Sequence, residues 1–136
     1  VAAGLLYSEP VNTRRLLIID DEEPILFALE RYFRRIGYTV DCARELEEAE
    51  AMATYIEYNV VIADLSLSGS GVEGLEILRY LRWNCPNARV ILLTAYGSPI
   101  VEREAYKRGA HALLHKPRPL ADIARLAADL TRGGVH

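Results

Sequence analysis

The chain has 136 residues, enough for one domain with a proper core, and 51% of them are apolar. With 26% charged residues and a net charge of −3 it has the balance of a soluble globular domain, and nothing favours nucleic acid or an anionic membrane as a direct partner. No apolar run approaches the roughly 18 residues of a membrane span. No basic start leads into an apolar core at the N-terminus. Cys42 and Cys85 stand alone without a CxxC pair, which suits a reducing cytoplasm.

Residues 1–14 carry Gly4, Pro10 and Asn12 with no clear period and read as a poorly ordered lead-in. Leu16 to Ile19 is a short buried strand that runs straight into Asp20-Asp21-Glu22-Glu23. Pro24 then opens a helix, where its missing N–H costs nothing, and the acids before it suit the positive helix end. Ile25, Leu26, Leu29, Phe33 and Ile36 recur at helical spacing until Gly37 ends the run. Tyr38 to Ala43 alternates as a second strand. Glu45 to Glu57 reads as an acidic amphipathic helix around Leu46, Ala49, Ala53 and Ile56. Val60-Val61-Ile62-Ala63 is an apolar, β-branched run that stops abruptly at Asp64, the pattern of a strand buried on both faces. A Ser- and Gly-rich loop from Ser66 to Glu73 follows. Leu75, Leu78 and Leu81 then mark a third helix, closed off by Asn84 and Pro86. Arg89 to Thr94 is the fourth strand. Ser98 caps a helix with Pro99 in its first position, and that helix ends at Gly109. Ala112 to His115 is a fifth strand, Pro117 and Pro119 punctuate it, and Leu120 to Leu130 is the last helix.

Regular strand–helix alternation predicts an α/β fold. Five parallel strands would be joined by right-handed crossovers, with helices on both faces and the flavodoxin-like order 2-1-3-4-5. Residues 15–131 would form this domain and 132–136 a short tail, and nothing after Thr131 suggests a second domain. Parallel strands all end at one edge of the sheet. Four of the five end in a reactive group: Asp20 and Asp21, Asp64, Thr94, and Lys116. Each has an ordinary reading alone: Asp21 as a helix cap, Asp64 as a loop residue, Thr94 as a β-branched strand end, Lys116 as a solvated charge. Together they place three carboxylates, a hydroxyl and an ammonium around one crevice. Carboxylates so placed repel one another unless a cation binds or one takes a proton. Oxygen-only ligands favour a hard divalent ion, and Mg²⁺ fits best. Lys116 as a point charge and Thr94 as a donor suit the oxygens of a phosphoryl group. The implied chemistry is phosphoryl transfer, with Asp64, on the middle strand of the three bearing acids or the threonine, as nucleophile.

Ile19-Asp20-Asp21-Glu22, the strand ending in Asp64, Leu93-Thr94-Ala95, and Lys116-Pro117 after Gly109-Ala110 carry a resemblance to a known family. From about Arg15 to Leu130 the chain resembles receiver domains of bacterial two-component response regulators. The resemblance implies that Asp64 accepts a phosphoryl group from a sensor histidine kinase or phosphotransfer protein. The domain would then switch conformation toward a downstream protein target, with homodimerisation on activation. It implies no enzyme beyond Mg²⁺-dependent self-phosphorylation and self-dephosphorylation. Mg²⁺ would be held by Asp20, Asp21, Asp64 and the backbone carbonyl of Ser66, while Thr94 and Lys116 contact the phosphoryl oxygens. The Lys116–Pro117 bond would be cis, and the readout would lie on the fourth helix, fifth strand and fifth helix.

The chain departs from the family at several points. Ser68 stands where the family has a proline, Val72 where it has a glycine, and Gly74 is the better match, so the loop reads as two residues longer. Such a loop is expected to be mobile until metal or phosphate arrives. Leu113 occupies the position of the family's aromatic residue three before the lysine. Tyr96 and Tyr106, which otherwise read as amphipathic side chains on a helix surface, are the candidates to carry the output instead. Gly69-Ser70-Gly71-Val72-Glu73-Gly74 fits the dinucleotide fingerprint, but it follows the third strand, is separated from Asp64 by four residues, and lacks the later acid. His111, His115 and His136 have no metal spacing and read as structural or solvated, and Trp83 is expected away from the crevice. Two rival functions are a receiver-like partner-binding module that is not phosphorylated and a Mg²⁺-dependent aspartyl phosphatase. The second needs an acid where the chain has Ser66.

Overall fold

Every residue from Val60 to Asp64 is buried, because this strand has a neighbour on each side and a helical layer on each face. The computed structural model describes residues 14–65, 75–95 and 97–133. In chain order these form β1 (Arg15–Ile19), α1 (Glu23–Arg35), β2 (Thr39–Ala43), α2 (Leu46–Tyr55), β3 (Val60–Asp64), α3 (Glu76–Asn84), β4 (Arg89–Thr94), α4 (Pro99–Lys107), β5 (Ala112–His115) and α5 (Leu120–Gly133). The strands are all parallel, in the order β2-β1-β3-β4-β5, as the alternation predicts.

Strand alternation divides the core in two. Val61 and Ala63 of β3 face a cluster with Ala49 and Ala53 of α2, Leu78 and Leu81 of α3, and Ala105 of α4. Val60 and Ile62 face the other, with Leu26, Leu29 and Phe33 of α1 and Ile123 and Ala127 of α5. Helix ends follow the sequence signals. Ser98 Oγ accepts from the Val101 N–H at 3.2 Å, with Pro99 in the first turn. Gly37 and Gly109 take φ of 108° and 112° just past α1 and α4, where a side chain would be strained. The Lys116–Pro117 peptide is cis.

Two boundaries differ from the sequence reading. α2 stops at Tyr55, before Glu57, because Ile56 turns extended (φ −123°, ψ 133°) and still packs on the core from there. Apolar spacing alone does not separate a helical from an extended anchor. α5 continues past Leu130 to Gly133, with the Thr131 hydroxyl donating to the carbonyls of Ala127 and Ala128. At the amino edge of the sheet, Asn59 Oδ1 accepts from the Arg15 N–H at 2.8 Å, and His111 Nδ1 accepts from the Val90 N–H at 3.0 Å. On the outer strands, Arg34 Nη2 donates to the Val40 carbonyl at 2.8 Å, and the Tyr106 hydroxyl accepts from the Leu113 N–H at 3.1 Å. Among the described residues no helix is long and apolar enough to cross a membrane.

Candidate functional site

The strand ends deliver their side chains to one crevice. Asp20 follows β1 directly; its N–H is taken by the Ala43 carbonyl at 3.0 Å, which turns the chain and buries the carboxylate (1% exposed). Asp20 Oδ1 accepts from the Glu22 N–H at 2.9 Å, tying the acid to the start of α1. Asp64 closes β3 and Thr94 closes β4, and both are buried. Lys116 follows β5, and its N–H donates to the Thr94 carbonyl at 2.7 Å. That bond fixes the root of the lysine, and Nζ reaches 3.5 Å from Asp20 Oδ2 and 3.5 Å from Asp64 Oδ2. Asp21 sits exposed on the rim.

One carboxylate oxygen from each of Asp20, Asp21 and Asp64 lies within 4.8 Å of the other two. Burial pushes the Asp20 carboxyl above its usual range, and the Asp64 charge adds to it; the Glu22 N–H and the Lys116 charge pull the other way. A single ammonium does not balance three carboxylates. An ion with oxygen ligands at roughly 2–2.6 Å spans oxygens about 4–5 Å apart, so the donor set suits one hard divalent cation. The sequence-predicted Asp20, Asp21, Asp64, Thr94 and Lys116 are thus brought to one place. Ser66, the loop to Gly74 with its glycine motif, and Tyr96 lie outside the described residues.

Two features were not foreseen from the sequence. An apolar groove of about 320 Å³ opens between α1 and α5 beside Lys116, lined by Pro24, Ile25, Leu29, Leu93 and Pro117 among others. Tyr106 is half-exposed, as a surface residue would be, yet its hydroxyl is committed to the Leu113 N–H. The signal for the second was the need of an edge strand to satisfy its outward N–H groups. Trp83, at the far end of α3, is 86% exposed.

The sequence profile of the response regulator receiver domain matches residues 16–128, and the chain belongs to that family. The photosynthetic apparatus regulatory protein RegA of Cereibacter sphaeroides is 34% identical over 111 residues, covering 81% of this chain and 59% of RegA. The chain therefore spans about three-fifths of that relative's length. A response regulator from Burkholderia pseudomallei, solved with a phosphorylated aspartic acid, a calcium ion and citrate, is 30% identical at a TM-score of 0.77. That likeness covers 89% of this chain and 72% of the other. The beryllofluoride-activated NtrC4 receiver domain dimer is 28% identical at a TM-score of 0.79, covering 88% of this chain and 97% of the other. This chain is a receiver domain of the two-component kind, a signalling domain with an acidic cluster suited to a divalent ion.

Proposed function

We propose that residues 15–131 act in the cytoplasm as a phosphorylation-controlled switch with Asp64 as phosphoacceptor. The observation that carries this reading is the crevice itself: three carboxylates within 4.8 Å, with Lys116 3.5 Å from two of them. Asp64 attacks the phosphorus of a phosphohistidine on a sensor kinase or phosphotransfer protein; the new O–P bond forms as the N–P bond breaks, and the donor imidazole leaves. Mg²⁺, held by Asp20, Asp21, Asp64 and the Ser66 carbonyl, would supply the positive charge that makes a phosphoryl group acceptable beside these acids. Lys116 leaves its two carboxylates for a phosphoryl oxygen, and the Thr94 hydroxyl donates to another. The groove beside Lys116 offers the donor protein an apolar foothold next to the acceptor. The output is a change on α4, β5 and α5 that a downstream protein reads, with pairing of two copies on activation, as the activated NtrC4 receiver pairs.

Intact-mass spectrometry after incubation with acetyl phosphate tests this. A Mg²⁺-dependent gain of one phosphoryl group, absent from Asp64→Asn, is expected. No gain by folded protein with Mg²⁺ present overturns it in favour of a partner-binding module that is not phosphorylated.

A further inference from the structure

Leu113 stands where the family resemblance expects an aromatic ring, and an aromatic residue reaches the same backbone position from another element. Tyr106, in the last turn of α4, accepts from the Leu113 N–H at 3.1 Å. Successive residues of a strand turn their N–H groups to opposite edges. The Lys116 N–H faces β4, donating to the Thr94 carbonyl, so the Leu113 N–H, an odd number of residues before it, faces away from β4. No strand covers that edge among the described residues, and the Tyr106 phenol takes the bond that a strand would. Leu113 is buried while Tyr106 is half-exposed. The bond therefore satisfies a sheltered amide from a side chain that has water to turn to, which makes it both worth forming and open to exchange.

The lead-in to α4 rests on the same strand. A Cβ on Gly97 would lie 2.6 Å from His115 Nε2, so the His115 ring sits against the segment that joins Thr94 to α4. His115 is also the register partner of Thr94. Both contacts thus lie on β5, the strand that pairs with Thr94 and leads into Lys116.

We infer that the Tyr106 hydroxyl is a positioning group of the switch. It latches α4 to β5 in the conformation where Lys116 spans Asp20 and Asp64, and the latch opens when a phosphoryl group draws Lys116 and Thr94 to itself. The hydroxyl leaving an amide takes the part of the aromatic residue that the family resemblance expects at Leu113. The latch rests on the reading of Asp64 as phosphoacceptor. Beryllofluoride with Mg²⁺ serves as the phosphoryl probe, and Tyr106→Phe keeps the ring while deleting the hydroxyl. In the wild type, exchange of the Leu113 amide should quicken on adding the probe. In Tyr106→Phe it should be fast from the start and unmoved by the probe. The variant should also bind the probe about fivefold more tightly, the equivalent of one ordinary hydrogen bond. A merely structural tyrosine would leave both the probe affinity and the state-dependence of that amide unchanged, and either result overturns the latch. The wild-type amide decides the matter even if the variant folds poorly. Absence of phosphoryl gain from acetyl phosphate overturns the reading of Asp64 and the latch with it; phosphoryl gain with an unmoved Leu113 amide overturns the latch alone.

Discussion

The two ends of the sheet both carry polar side chains and behave oppositely. At the amino end Asn59 and His111 each meet backbone partners of matching sense. Asn59 bonds Arg15 through side chain and backbone and also takes the Arg89 N–H on its carbonyl, and His111 exchanges two bonds with Val90. These groups are finished and favour one arrangement. At the carboxyl end Asp20, Asp21 and Asp64 crowd together while Lys116 reaches only Asp20 and Asp64, so the acids burden each other until a cation or a proton arrives. A sheet end satisfied from within its own backbone holds the fold still. One left electrostatically incomplete gives a ligand something to change.

The largest expected effect is on the incomplete end. Mg²⁺ at a hundred times its Kd should stabilise the wild type by about 2.7 kcal/mol in urea titrations, and Asp20→Asn or Asp64→Asn should erase that gain. Next comes a reversal of sign between the ends. With EDTA present, Asp20→Asn should raise the melting temperature by relieving a buried charge. His111→Ala should instead cost about 1 kcal/mol by stranding the Val90 N–H. Acid sharpens the contrast. Desolvation of the ring, then the Arg89 charge, holds His111 below its ordinary value, so the unfolded chain takes up that proton first. The His111 contribution is therefore present above about pH 6.5 and lost as the pH falls through the folded value. Asp20 is raised instead, so the fold takes up that proton before the unfolded chain does, and acid relieves it. Urea titrations in EDTA at about pH 7.5 and about pH 5.5 should show a loss on acidification that His111→Ala reduces. The smallest effect is at Trp83, whose fluorescence should scarcely respond to Mg²⁺ because the ring stands in solvent at the far end of α3.

The carboxyl end was legible in the sequence because each site residue closes or follows an apolar strand, and parallel topology brings strand ends together whatever the loops do. Pro24, Ser98-Pro99, Gly37 and Gly109 marked helix ends for reasons confined to one or two residues. The end of α2 was not legible, because Ile56 serves the core equally well from helical or extended backbone. Nor was the Tyr106 bond, since it depends on the direction of an edge amide and the reach of a phenol, neither of which leaves a periodic trace. His111 read as structural or solvated, and its structural role, the particular nitrogen and its Val90 partner came only from the fold.

Each outer strand carries one outward backbone group already occupied by a side chain from the helix before it: Arg34 on the Val40 carbonyl and Tyr106 on the Leu113 N–H. An added strand on either side must first displace a guanidinium or a phenol. Growth of the sheet from copy to copy, the route by which parallel edges turn to fibrils, is thereby obstructed at both margins.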